Sequence, residues 1–139
     1  MIVYLDTSVV LRPLLNQPNP LPDWGGWEAA YSSELLGVEC RRVIDRLRLE
    51  SMFTDEDVAE TMQRLERMEK SMRRVRLTRS IIHAASLTMP TIVKTLDAFH
   101  LVSALALRDR RQINLTFATH DAQQATAARA LGFSCLGQG

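Results

Sequence analysis

The feature that most constrains this chain is its alternation of short apolar, strand-like runs with helical stretches, beginning at its first residues. Ile2 to Leu5 is a continuous apolar run fit for a buried strand, and Thr7 to Leu14 follows as a short helix. Pro13 and the run Asn16-Gln17-Pro18-Asn19-Pro20-Leu21-Pro22 end that helix in an extended loop. Trp24 to Tyr31 begins the return, and Tyr31-Ser32-Ser33 reads as a short strand or bridge. Leu36, Cys40, Val43, Ile44 and Leu47 recur at helical spacing and predict a helix over Glu34 to Leu49. A further helix starts at Thr54, where Thr54-Asp55-Glu56-Asp57 resembles a capping box, and its inward stripe is Val58, Met62, Leu65 and Met72. Val75 to Leu77 predicts a strand, Ile81 to Leu87 a short helix, and Leu96 to Arg108 a long helix apolar on all sides. Asn114 to Ala118 is the next strand, Ala122 to Leu131 a helix closed by Gly132, and Phe133 to Leu136 the last strand. Strands separated by helices predict an α/β fold: a short parallel sheet flanked by helices on both faces. Ligands of such sheets gather at the carboxyl ends of the strands.

Residues 1–139 show no repeat, low-complexity tract or composition shift, so one domain is expected. The formal net charge of +1 gives no global commitment to nucleic acid or membrane, and any basic surface must be local. No segment approaches the roughly 18 consecutive apolar residues of a membrane span, and no secretory leader is apparent, which makes the cytoplasm the expected address. Cys40 and Cys135, both in apolar patterns, are expected as buried reduced thiols rather than a disulfide.

Four acids stand where acids are disfavoured. Asp6 directly follows the first strand, and two readings stand: an N-cap for the next helix, or a carboxylate at the sheet edge. Asp121, after the strand and the residues Thr119-His120, carries the same ambiguity. Glu39 lies on or beside the apolar stripe of its helix, where a carboxylate is costly unless paired or metal-bound. Asp97 shares a helix face with Leu101, Ala104 and Leu105, or serves the first turn through the macrodipole. Together they suggest one carboxylate pocket. Four like charges repel one another, and a hard divalent cation with oxygen ligands would keep them ionised. Mg²⁺ or Mn²⁺ suits this set better than Zn²⁺, because no His/Cys ligand spacing is present. Phosphodiester hydrolysis is the natural reaction class for such a centre.

These residues also carry a resemblance. The segments "YLDTSVV", "SSELLGVECRRVI", "KTLDAFHLVSALAL" and "FATHDAQQATAARALGF" resemble PIN-domain nucleases, most closely the VapC-type toxins of toxin–antitoxin pairs, in family order and over nearly the whole chain. The resemblance implies a metal-dependent endoribonuclease in which Asp6, Glu39, Asp97 and Asp121 ligate one or two Mg²⁺ or Mn²⁺ ions. It implies that Ser8 and Thr119 support this site with hydroxyl groups. It also implies an RNA substrate, a homodimer, and a small cognate antitoxin whose tail occupies the acidic groove.

Other features have plainer expectations. His120 reads as an exposed loop residue, and His100 as a core histidine with one hydrogen bond, with support of Asp97 as the alternative. Arg64, Arg67, Lys70, Arg73, Arg74, Arg76 and Arg79 form either a solvated helix face with strand flanks or a cradle for RNA phosphates. Trp24 and Trp27 are expected to pack a loop onto the domain, and Met52, Met62, Met68 and Met72 to fill the core or a dimer face. Two rival functions stand: a phosphohydrolase with Asp6 as nucleophile, and a catalytically silent PIN-like module that binds RNA or protein.

Overall fold

Ile2–Leu5 forms the first strand, β1, and becomes the centre of the sheet in a computed structural model that describes residues 1–138. From it the chain runs through α1 (Thr7–Leu14), β2 (Ala29–Ser33), α2 (Leu35–Leu49), α3 (Asp55–Lys70) and β3 (Arg73–Val75). It continues through α4 (Arg79–Ala85), α5 (Thr95–Arg111), β4 (Leu115–Ala118), α6 (Ala122–Ala130) and β5 (Ser134–Leu136). The strand order is β3-β2-β1-β4-β5, and every pairing is parallel. This is the α/β sheet with helices on both faces that the alternation predicts.

Side chains alternate across a strand, and β1 uses both sides. Val3 and Leu5 face a core completed by Val9, Val10 and Leu14 of α1, Leu36, Cys40 and Ile44 of α2, and Leu65 of α3. Tyr4 faces the opposite core, closed by Leu101, Ala104 and Leu107 of α5 and by Ala127 and Ala128 of α6. Val3, Tyr4 and Leu5 are wholly buried, each contributing roughly 1.5–3 kcal/mol relative to exposure. The run is therefore uniformly apolar because it has two dry faces.

Several boundaries move from their predicted places. β2 begins at Ala29, since pairing with β1 in the register Ile2↔Ala29 outweighs the weak strand preference of two alanines. β3 is Arg73–Val75 rather than Val75–Leu77: an edge strand tolerates exposed arginines, and the Leu77 N–H turns aside to Glu34 Oε2 at 3.3 Å. α4 starts two residues early because the Thr78 hydroxyl accepts the Ile81 N–H at 3.2 Å as its cap. The capping box at Thr54 forms, with Thr54 Oγ1 and Asp57 Oδ2 each accepting the other's backbone N–H. Trp24 and Trp27 meet edge-to-face at 5.0 Å beside the first core, as the packing expectation had it. Met72 is buried and Met62 and Met68 are partly so, but Met52 is exposed. Both cysteines are free thiols; Cys40 is buried, whereas Cys135 is only partly covered because it lies in a three-residue edge strand.

One polar joint crosses this framework. Glu69 of α3 is nearly buried and accepts from Arg41 of α2 (2.8 and 3.2 Å) and Arg74 of β3 (3.1 Å). Gly37 makes room for it, since a Cβ there would stand 2.6 Å from Glu69 Oε2 and 2.7 Å from the Arg41 guanidinium.

Candidate active site

The strand order reverses direction at β1, which has β2 on one side and β4 on the other. In a parallel sheet such a switch point opens a crevice at the carboxyl ends of the two strands. The β1–β4 ladder extends one residue beyond the strands, with the Asp6 N–H donating to the Ala118 carbonyl at 3.0 Å. Asp6 and Thr119 thus leave the sheet side by side.

Asp6 stands at the N-cap position of α1 in extended backbone, yet its side chain makes no capping bond. Its Oδ2 instead accepts from Ser8 Oγ at 2.9 Å and from Thr119 Oγ1 at 2.7 Å, and the residue is only 4% exposed. The capping reading is therefore wrong for Asp6: its carboxylate is held by two hydroxyls in the crevice. Asp121 is the opposite case. Its Oδ1 accepts the N–H groups of Gln123 (2.8 Å) and Gln124 (3.1 Å) and caps α6. Both bonds go to one oxygen. Thr119 joins the two acids, because its Oγ1 also accepts the Asp121 N–H at 3.0 Å.

Glu39 projects from α2 toward α1 and α5. Its Oε1 accepts from Thr7 Oγ1 at 2.9 Å and pairs with His100 Nε2 at 2.7 Å. His100 is wholly buried, with Tyr4 Oη 2.9 Å from its Nδ1 and Thr7 Oγ1 3.1 Å from its Nε2. The single Thr7 hydroxyl proton goes to Glu39, so the Thr7 oxygen faces His100 as an acceptor and Nε2 carries the proton. Burial opposes charge on His100, but the hydrogen bond to Glu39 and the charges of Asp6, Glu39 and Asp97 outweigh it and push its pKa up. His100 is thus no core histidine with a single bond, and the acid it supports is Glu39 rather than Asp97.

Asp97 lies in the first turn of α5, whose start is tied to α6 by Gln124 Nε2 donating to the Asp97 carbonyl at 3.0 Å. Burial first, then the charges of Asp6 and Asp121, push its carboxyl up to about 6. The fold therefore places Asp97 within the field of Asp6 and Asp121, and it connects Glu39 to Asp6 through His100, whose Nε2 is 3.9 Å from Asp6 Oδ1. Among the described residues no arginine or lysine forms a salt bridge with any of the four.

His120 is not the exposed loop residue its sequence suggests. Its ring Nδ1 reaches the Gly137 carbonyl at 2.9 Å, its N–H donates to Ser8 Oγ at 3.0 Å, and it is half-buried. Gly137 permits this approach: its φ is +102°, and a Cβ there would strike the Thr119 carbonyl at 2.5 Å. Sequence reasoning also passed over Thr7, Tyr4 and Gln124. Thr7 had a signal, since it lies inside the "DTS" turn beside the hydroxyl that was singled out. Tyr4 and Gln124 had none, because their partners come from distant elements.

Among the described residues no group of three or more His, Cys, Asp or Glu side chains is already placed to hold a metal ion. The donor chemistry nonetheless fits a hard cation: carboxylate oxygens with no salt bridge to arginine or lysine among the described residues, and Asp97 raised by burial and then by the charges of Asp6 and Asp121. Comparison with known proteins adds the decisive observation, for the family model of the PIN domain matches residues 3–130. The chain belongs to the PIN-domain family. Two relatives of this PIN domain are Ribonuclease VapC45 and Ribonuclease VapC49 from two strains of Mycobacterium tuberculosis. Each is 30% identical over 135 residues, covering 94% of this chain and 92% of the relative. The match places this PIN domain with the VapC type.

Proposed function

We propose that this chain is a VapC-type toxin, a metal-dependent endoribonuclease whose Asp6, Glu39, Asp97 and Asp121 hold one or two Mg²⁺ or Mn²⁺ ions. The observation that carries the reading is Asp6: a buried carboxylate at an N-cap position that caps nothing and is instead held at the carboxyl edge of the sheet by Ser8 and Thr119. Its kinship with proteins named as ribonucleases supports the choice of RNA as substrate. An ion held by these carboxylates would supply charge neutralisation at the phosphodiester and a water of lowered pKa. The chain's own residues do the positioning. Ser8 and Thr119 fix Asp6, Thr7 and His100 fix Glu39, and the α6 N-terminus fixes Asp121 through one oxygen. Tyr4 braces His100 from behind.

Such a protein is held in check by a small cognate antitoxin and works as a homodimer in the cytoplasm. Exposed Ile82 and Leu87 of the α4 region and Ile92 and Leu96 before and within α5 supply apolar surface for a partner chain beside the acidic crevice. No helix is long and apolar enough to cross a membrane among the described residues.

The test is cleavage of a mixed RNA pool by the purified chain, free of antitoxin, with Mg²⁺, with Mn²⁺ and with chelator. Cleavage that requires the ion and disappears in Asp6→Asn supports the proposal. Cleavage that persists in chelator contradicts the metal mechanism, and RNA binding without cleavage at any metal concentration favours the silent binding module.

A further inference from the structure

The acidic crevice leaves the basic run of the sequence unused, and the fold gathers part of that run at the other end of the sheet. Arg73 and Arg74 lie in edge strand β3, and Arg110 and Arg111 in the last turn of α5. These pairs, remote in sequence, surround one concavity of about 280 Å³ whose wall includes Tyr31 and Leu107. Asp97 and Arg110 sit near opposite ends of α5, about 20 Å apart at 1.5 Å rise per residue, so this is a place distinct from the carboxylate site.

Charge in the concavity is unbalanced. Arg74 is satisfied by Glu69, which Arg41 also shares, while Arg73 donates to Tyr31 Oη at 3.3 Å and lies 5.9 Å over that ring. Arg110 and Arg111 have no acidic partner among the described residues. Guanidinium groups bind phosphate through paired N–H donors and stack on flat π-systems. The wall beneath them is apolar and partly aromatic. A ligand that uses both features has an anionic group and a flat ring, and the volume lies at the small end of ligand pockets, which begin at roughly 300 Å³.

We propose that this concavity binds a phosphate-bearing nucleotide, its phosphate on Arg110 and Arg111 and its base stacked on the exposed Arg73 guanidinium, which itself lies over the Tyr31 ring. The nucleotide is either free or one unit of an RNA strand; the second source rests on the nuclease reading, whereas the first does not.

Binding is measured on the full chain in chelator, with Asp6→Asn present so that neither metal nor cleavage contributes. The probes are adenosine monophosphate, inorganic phosphate and a short single-stranded RNA, each titrated against the parent and against Arg110→Gln/Arg111→Gln. Both altered side chains are exposed on a helix end, and circular dichroism confirms that the fold is kept. The expected result is that adenosine monophosphate binds more tightly than phosphate and loses at least tenfold in affinity in the double variant. RNA that loses affinity likewise, with its salt slope reduced by about 1.4 for two phosphate contacts, assigns the strand as a source. Nucleotide binding without RNA binding assigns the free nucleotide and leaves the nuclease reading to its own test. Affinities unchanged by the double substitution, or phosphate binding as tightly as the nucleotide, overturn the proposal. So does a change of oligomeric mass with no change in affinity, which would mean that another copy covers this face.

Discussion

The two corners β1–α1 and β4–α6 are built to one plan and do different things. Each is a parallel strand, an aspartate in extended backbone, and a helix. At Asp121 the side chain satisfies the first free N–H groups of its helix. At Asp6 it satisfies none, and α1 relies on the burial of Val9, Val10 and Leu14. What separates the two is the pair of hydroxyls that reach Asp6, one from Ser8 two residues on and one from Thr119 across the sheet. An acid at a strand end announces a helix start; its neighbours in three dimensions decide whether it is spent there.

That difference predicts a graded set of outcomes. The largest is in activity: Asp6→Asn is expected to reduce RNA cleavage by on the order of 10³-fold while circular dichroism and thermal unfolding show the fold intact. Asp121→Asn also removes a charge but keeps a good cap, so activity falls with unfolding temperature unchanged. Thr119→Val strikes the link between the corners. It removes the donor to Asp6 and the acceptor for the Asp121 N–H, and a fall of about 10–100-fold in cleavage is expected. Wild-type rates in this variant would show that the hydroxyl orients nothing.

A pH profile of stability probes the same crowding in the metal-free protein. Asp97 is raised from 3.8 to about 6, so the folded state prefers its neutral form. Its contribution to stability is full below the unfolded value near 3.8 and is lost as pH rises through about 6. Unfolding temperature of the chelated wild type should therefore drop across that window relative to Asp97→Asn, and Mg²⁺ should offset the drop. Parallel profiles for the two proteins would contradict the coupling.

The smallest effect separates the corners most cleanly. Asp121→Ala removes a cap and should cost about 1 kcal/mol in urea unfolding. Asp6→Ala removes no cap, and relief of like-charge repulsion offsets the hydroxyl bonds it loses. Equal losses in the two variants would break the comparison.

Much of this was legible from the chain alone, because β1, β4, α1 and α6 announce themselves through local patterning. The helix Thr7–Leu14 falls on its predicted bounds, and the crossed faces of β1 follow from its uniform apolarity. β2 and β3 were harder, since Ala29-Ala30 and Arg73-Arg74 gain strand structure from their neighbours rather than from propensity. The four acids could be picked out as misfits, each in its own element. The bond between His100 and Glu39 could not, because the periodicity of α5 names a buried face and not the residue of α2 that meets it. His100 reads from sequence as a core histidine with one hydrogen bond, or as a support for Asp97 on the same helix, whereas its carboxylate partner is Glu39 of α2.

The central claim is that the four carboxylates share a divalent ion. Anomalous diffraction from crystals soaked in Mn²⁺, at a concentration that supports RNA cleavage, tests it most directly. The account predicts a manganese peak bound by Asp6, Asp97 and Asp121, with Glu39 at the same centre. No peak there, or a peak ligated elsewhere on the chain, would contradict it.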